Sequence, residues 1–578
     1  MPGFHLARQH PVHLSKVILF ASLLVRVVSA EIWCGKNYRE GQPVAPPQGV
    51  FPSSVQLQTP EFAFKCLPRV QPYLERDNCS SASVIVDTSL TSVHFRHSVP
   101  LPSESFVSLN AASSSTSLGL ILTVGVEDHN TSYQNTEFDV KNLELPLSLC
   151  SLLPRREPYS ITCTAKIRLF NGTTHTYNYT SSLLYLPTPG PGPGSVTKLD
   201  RKTGALMTHS GNDKFEPIFP IGFYTDFGYL ASNLTILDEI KSQGFNMIHP
   251  VPPFHNEVTL DAVLHRLDEI GLFLVYDMRH SYQDLTSIAQ EVKSIMNHRS
   301  LLLWYTADEP DGPGDPLDAT QAAYNLIYSL DGYHPVSAAL NCADYYFEEY
   351  ASGADIILPD VYMIGNNVNF SLKYNTPCTK DFGCCGCDNC QGHFDDISNR
   401  LDKTIEKLGL LGWDSTKFIW AVPQAFGGEE FWTRVPTGRE WLLQALLSIN
   451  HKARGIMPWI DPTPKDIKRY ASRLAQLLPQ LTPFFFGDDV KFSRVKFPYL
   501  DVGTWRKGRK SLIIATNLNP ESANSDLRVD GQNKVDWILQ EGVSLSITGH
   551  IIFEPMGSAI FLNSIVEDEP LGHVHDEF

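Results

Sequence analysis

The sequence predicts an α/β chain, a (β/α)8 barrel flanked by an N-terminal β-sandwich and a small C-terminal β-sandwich. Three observations carry this. Between residues 215 and 482, eight short apolar runs alternate with stretches whose apolar residues recur at three and four, the rhythm and length of an eight-fold parallel barrel. On either side the texture changes to short runs rich in Val, Ile, Thr and Tyr, separated by Ser, Asn, Gly and Pro turns. A proline and glycine run, Thr188 to Ser195, divides the first region from the second. A doubly wound open sheet is the structural alternative for the middle region.

In chain order, residues 1–30 read as a signal peptide. Arg8 and Lys16 give a positive start, Val17 to Val25 an apolar run, and Val28-Ser29-Ala30 a small-residue cleavage pattern, so the mature chain is expected to begin at Glu31. Arg26 interrupts the apolar run, and an uncleaved anchor is the alternative. Residues 31–187 are the first β region, with SVIVDTSL, SLGLILTVGV, YSITCTAKIRLF and THTYNYTSSLLYL as strands that two packed sheets would bury. Residues 188–214 are expected to be linker and lead-in.

The barrel strands expected over 215–482 are FPIGFY, GFNMIHP, LFLVYDM, SLLLWYTADEP, PVSAALN, DIILPDVYMIG, KFIWAVPQAF and GIMPWIDP. Helices such as LDAVLHRLDEI, TSIAQEVKSIM and REWLLQALLSINHKA lie between them. A cysteine-rich insert, 375–395, falls between the sixth and seventh strands, which places it on the carboxyl-terminal rim. Residues 483–565, with KSLIIATNLN, VSLSITGHIIF and SAIFLNSIV, predict the last sandwich, and 566–578 an acidic, mobile tail.

A net charge of −17 excludes nucleic acid as the natural partner, because phosphate binding needs a positive field. Export predicts glycans and oxidised cysteines. N-x-S/T acceptors stand at Asn78, Asn130, Asn171, Asn178, Asn233 and Asn369. Cys34, Cys66, Cys79, Cys150 and Cys163 lie in the first third, and Cys342, Cys378, Cys384, Cys385, Cys387 and Cys390 lie together further on. The CCGCDNC run admits a zinc alternative at Cys387 and Cys390, but in a secreted chain that density points to local disulfides closing an insert, six being an even number. Eleven cysteines leave at least one unpaired. The expectation is a secreted, extracellular chain with no metal, no cofactor and no stable membrane anchor.

The chemistry is expected at LLLWYTADEPDG, Leu301 to Gly312, an apolar run that stops at two adjacent carboxylates, Asp308 and Glu309. A buried unpaired carboxylate is costly, whereas the carboxyl-terminal rim of a parallel barrel is where such groups are used. If the eight strands close, their ends also deliver Tyr224, Asp226, His249, Asp277, Asn341, Asp360, Tyr362, Gln424, Trp459 and Asp461. Carboxylates and amides bind hydroxyl pairs and aromatic faces carry the apolar side of a ring, so a carbohydrate partner is expected. Trp432, beside the seventh strand, is a candidate subsite wall. Arg434 is a candidate partner for an acidic sugar or a rim carboxylate. Any one of these groups taken singly is explained as a satisfied helix cap.

PIFPIGFY in the first strand, WYTADEPDG in the fourth and VPQAFGG in the seventh resemble the glycoside hydrolase barrel superfamily, whose acid/base glutamate ends the fourth strand. The resemblance covers residues 196–482 as fold and pattern, and implies a glycosidase with Glu309 as general acid/base. In the largest clan the fourth strand ends Asn-Glu and the seventh ends in a nucleophilic Glu. Here the fourth ends Asp308-Glu309 and the seventh carries Gln424, an amide that cannot attack an anomeric carbon. Three candidates remain for the second group: Glu429 or Glu430 in the loop beyond Gln424, Asp360 or Asp461 as base for an inverting attack, or a substrate acetamido group oriented by Asp308, as in substrate-assisted hexosaminidases. A sugar-binding barrel without turnover is the reading from another class of function.

Overall fold

The computed structural model describes residues 31–102, 119–127, 129–135, 139–168, 173–189, 194–210, 214–254, 256–520, 525–528, 534–547 and 550–564. The expected signal peptide, the acidic tail, the Asn171 acceptor and residues 190–193 of the connector lie outside them.

The fold is mixed α/β. At its centre is a seven-stranded, wholly parallel sheet whose order follows the chain: Tyr224–Asp226, Met247–Val251, Phe273–Asp277, Leu301–Asp308, Val336–Leu340, Ile356–Pro359 and Phe418–Ile419. Isolated parallel bridges extend it. Ala421 and Gln424 pair with Ile456 and Trp459, while Ile221 and Thr225 pair with Ile456 and Asp461, so the 456–461 segment touches the last strand and the first. Parallel neighbours require a crossover, and amphipathic helices supply it. Glu257–Ile270 buries Val263, Leu264 and Leu267, starts on the Asn256 side chain and stops at left-handed Gly271. Leu285–Ile295 buries Ile288, Val292 and Ile295 and starts on Asp284. Successive strand residues face opposite ways. Trp304 joins the core shared with the helices, and Tyr305 joins the core inside the sheet with Leu302, Met247 and Leu358.

Ahead of this lie two four-stranded antiparallel sheets. Their inward residues, among them Phe62, Val84, Leu122 and Ile161, share one core, and the Cys66–Cys163 disulfide joins the Gln56–Pro68 strand of one to the Tyr159–Arg168 strand of the other. Within the stretch expected to be linker and lead-in, residues Thr197–Asp200 and Ala205–Ser210 are strands, paired with each other and with Lys214–Ile218 and Val70–Gln71. They are only four and six residues long, beside a glycine and proline run whose turn signal dominates the local sequence.

After the long helix Lys465–Phe485, six antiparallel strands form one connected sheet. The His550–Ser564 strand changes partners at Met556, which takes a left-handed conformation: its first residues pair with Ser525–Arg528 and its last with Lys510–Asn517. Trp505, Leu512 and Ile560 of this sheet pack into the helical core, and Phe553 and Phe561 form a cluster of their own.

The disulfides are Cys34–Cys342, Cys66–Cys163, Cys79–Cys150, Cys378–Cys385 and Cys387–Cys390, with Cys384 free and buried. The expectation that the six later cysteines close only on one another is therefore corrected. Cys342 is taken by Cys34, a partner 308 residues away, which leaves Cys384 over. Among the described residues no cluster of His, Cys, Asp and Glu could hold a metal ion, and no helix is long and apolar enough to cross a membrane.

Candidate active site

The Leu301–Asp308 strand delivers its carboxylates in two different settings. Trp304, pointing to the helices, donates its indole N–H to Asp331 at 2.8 Å and plays no part at the strand end. Tyr305, pointing inward, donates its hydroxyl to Asp308 Oδ1 at 2.5 Å. Asp308 Oδ2 accepts from Arg279 Nη1. Arg279 also donates from Nε to Asp277 Oδ2 at 2.7 Å, and His249 Nε2 meets that same oxygen at 2.7 Å. Burial disfavours charge on Asp277, but Arg279 and His249 outweigh it and hold this carboxyl below its ordinary range. Burial lowers the affinity of His249 for a proton, so it stays neutral.

Glu309 turns the other way. Its backbone is left-handed, with φ of 51°, in a residue that carries a Cβ. Such a conformation costs about 1–2 kcal/mol and persists only where surrounding structure imposes it. Here the imposition is visible. The Glu309 N–H donates to the Ala339 carbonyl at 3.1 Å, and the Glu309 carbonyl accepts from Gly312 N–H at 3.0 Å. Glu309 Oε1 accepts from Asn341 Nδ2 at 2.8 Å, and the Asp360 carboxyl acts on it from the next strand end but one. Burial, then the charge of Asp308, pushes the Glu309 carboxyl up to about 7. Burial and Glu309 together raise Asp360 well above the carboxylate range. Two acids that act on each other do not ionise together easily, so this pair retains a proton near neutrality.

Asn341 is itself fixed on every side. Its backbone N–H donates to Asp311 Oδ1 at 3.1 Å, its carbonyl accepts from Arg400 Nη1 at 2.6 Å, and its Oδ1 accepts from Trp33 Nε1 at 2.9 Å. Burial pushes the Asp311 carboxyl up to about 6. Trp33 belongs to a short hairpin, Ile32–Trp33 with Lys36–Asn37, pinned by the Cys34–Cys342 disulfide. Beyond Trp33 and Asn341 opens a cavity of about 490 Å³, walled largely by the cysteine-rich loop.

The structure thus brings together Glu309, Asp360, Asp308 and Asn341, with Asp277, His249 and Tyr224 one layer behind. Tyr224 donates to the Tyr305 hydroxyl at 3.1 Å and is 1% exposed. Trp459, half-buried, lies against Tyr224 with ring centres 5.0 Å apart and under the Arg279 guanidinium. Other candidates are spent elsewhere. Gln424 is fully buried, accepting from Ile364 N–H at 2.9 Å and donating to the carbonyls of Ile364 and Phe426, which ties two strand-end loops together. Trp432 donates to the Tyr362 carbonyl at 2.7 Å, and these two rings pack with Phe426 as a buried aromatic cluster. Asp226 is exposed and caps the next helix through Tyr229 N–H. Asp461 pairs with Lys468 at 2.7 Å. Glu429 is exposed in its loop, and Glu430 pairs with Lys373 at 2.6 Å. Arg434 pairs with Glu440, the capping glutamate of the Gly438–Asn450 helix.

Arg279, Asp311 and Trp33 escaped the sequence. Arg279 stands one residue past an expected strand end, within the uncertainty of any strand boundary, whereas Trp33 reaches the site from 308 residues before its partner Asn341 and no local pattern signals that.

No family model matches the chain, and no curated protein matches it. Among solved structures it is similar to an α-amylase from Anoxybacillus, at 12% identity and a TM-score of 0.40 over 60% of this chain and 91% of that one. It is also similar to a putative α-galactosidase from Bacteroides fragilis, at 11% identity and a TM-score of 0.41 over 78% and 95%. A third is a xylanase from Clostridium acetobutylicum, at 12% identity and a TM-score of 0.36 over 60% and 96%. All three are glycoside hydrolases by name. The superpositions are too loose to equate individual residues, so the chemistry rests on this chain's own side chains.

Proposed function

We propose that this chain is a secreted glycoside hydrolase, an eight-unit parallel barrel between two β domains, with Glu309 as general acid/base and Asp360 as its partner carboxyl. The observation that carries the proposal is that Glu309, pushed up to about 7, and Asp360, raised well above the carboxylate range, stand at the carboxyl ends of two parallel strands and act on each other. Cleavage of an O-glycosidic bond needs an acid that still holds its proton near neutrality and a second carboxyl close by. Glu309 gives its proton to the leaving oxygen as the C–O bond breaks, water adds to the anomeric carbon, and the carboxylate takes up the proton that water releases. Five disulfides among the described residues suit an oxidising compartment, which supports secretion.

The remaining candidates for the second carboxyl are weaker. Asp461 is neutralised by Lys468, and Glu429 is exposed in a loop. Substrate assistance through Asp308 is disfavoured because both its oxygens are already engaged by Tyr305 and Arg279. One observation favours a binding protein instead. Burial and Glu309 raise Asp360 well above the carboxylate range, whereas the second carboxyl of a glycosidase must act ionised, as nucleophile or as base.

Hydrolysis of a broad panel of oligosaccharides, followed by product stereochemistry, tests both readings. Turnover is expected for the wild type, and Glu309→Gln should lose about 10²–10⁴-fold. Full activity in Glu309→Gln removes Glu309 from its role. Affinity without turnover across the panel assigns the protein to carbohydrate binding.

A further inference from the structure

The amino-terminal hairpin reaches the carboxyl pair through a single amide. An indole N–H can only donate, so Trp33 Nε1 requires an acceptor and Asn341 must present Oδ1 to it. That orientation leaves Nδ2 facing Glu309 Oε1, 2.8 Å away. Were the amide turned over, an oxygen would face the carboxylate and Nδ2 would face the indole N–H, which repels both contacts. The Asn341 backbone is clamped by Asp311 and Arg400, so rotation about its own side-chain bonds is the freedom Trp33 removes.

We propose that Trp33 is a positioning residue for Glu309: it fixes the Asn341 amide so that its N–H faces the Glu309 carboxyl, and the Cys34–Cys342 disulfide holds Trp33 in place to do so. The hairpin is well anchored for this. The Cys34 N–H donates to the Gly312 carbonyl at 2.9 Å, and the indole lies so close to Gly312 that a Cβ there would meet ring carbon at 2.5 Å. The same indole lines the mouth of the 490 Å³ cavity, so one side chain both orients the acid and borders the adjoining space.

The consequence is electrostatic. An amide N–H aimed at a carboxylate favours its ionised form, opposing the burial and the neighbouring acids that favour the protonated one. The groups acting on Glu309 are Asp308 and Asp311 from its own loop, Asp360 and Tyr362 from the next strand end but one, and Cys384 from the cysteine-rich loop. Trp33→Phe leaves all of them in place and removes the N–H together with part of the ring that packs on Gly312.

The role of Trp33 in turnover rests on the proposed function, but its effect on the carboxyl does not, and infrared titration of the full chain keeps the two apart. The Glu309 carboxyl band is isolated by subtracting the corresponding Glu309→Gln spectrum in each background. In Trp33→Phe the midpoint should rise by about half to one pH unit. Asn341→Ala should raise it by a comparable amount, and adding Trp33→Phe to Asn341→Ala should change nothing further, because both act through one contact. A wild-type midpoint in Trp33→Phe, or two shifts that add, overturns the proposal. Thermal melts that match the wild type show that the hairpin is still seated; if Trp33→Phe does not fold, Trp33→His, which retains a ring N–H, should keep the wild-type midpoint, and a shifted one counts against the relay. Absence of turnover on every glycan defeats the hydrolase reading and leaves the titration result standing.

Discussion

Asp308 and Glu309 are chemically almost the same and adjacent, yet the fold gives them different surroundings. Asp308 is held by Arg279 and the Tyr305 hydroxyl. Among the described residues no cation pairs with Glu309, so burial and Asp308 drive it up to about 7. Two predictions belong at this scale. Below about pH 7 Glu309 is protonated and able to act as acid, so turnover should fall as pH rises through that value, measured as the basic limb of a kcat/KM profile. Stability moves likewise. The folded-state value lies above the unfolded value, so the folded state binds the extra proton between about 4.5 and 7, and the wild type loses stability across that window as pH rises. Glu309→Gln carries no such proton, so its melting temperature should match the wild type at pH 5 and exceed it at pH 8. The sequence shows the Asp-Glu pair as the end of an apolar strand, which is where the structure has it. Its neighbours' roles are not legible there, because Gln424, Tyr362 and Trp432 look like open sugar ligands until their partners are known to be backbone carbonyls and one another.

Elements are set by short-range rules, and most of them could be read directly. Asn256, Asp284 and Thr437 begin helices where the sequence offers an oxygen-bearing cap, and Gly271 ends one where left-handed backbone is needed. Thr437 forms a full capping box with Glu440, and Arg434 is drawn into it rather than toward a sugar. Thr437→Ala should cost about 1 kcal/mol, read as a lower urea midpoint at unchanged slope. Closer packing governs Gly222, where a Cβ would lie 2.0 Å from the Met247 carbonyl oxygen of the neighbouring strand. Backbone cannot yield as a side chain would, so Gly222→Ala should destabilise by at least about 2 kcal/mol in the same assay. What could not be read were elements too short for periodicity. The Thr197–Asp200 strand has four residues, fewer than a pattern needs.

Across the whole molecule, the separate regions are joined by a few buried polar contacts. His451, at the end of the Gly438–Asn450 helix, meets Asp402 of the Asp395–Leu410 helix at 2.7 Å and Asp501 of the last sheet at 3.1 Å. Burial favours the neutral ring, and Arg494 lies alongside, yet the two carboxylates win and raise its affinity for a proton. A folded value above the unfolded one means stability fully present below the unfolded value, near 6.5, and lost as pH rises through the folded value. Denaturant midpoints of the wild type should therefore fall from pH 6 to pH 8.5 by more than those of His451→Gln. Such contacts are invisible to sequence patterns, which see neighbours along the chain and not across it. The Cys34–Cys342 bond is the extreme case. At about 5–20 residues per second, a ribosome needs about 15–60 s to make the 308 residues between those thiols, during which Cys34 waits while Cys66, Cys79, Cys150 and Cys163 emerge and compete for it. Correct pairing thus depends on an isomerase or on early closure of both the Cys66–Cys163 and the Cys79–Cys150 bonds, and cells lacking such help should accumulate chains mispaired at Cys34.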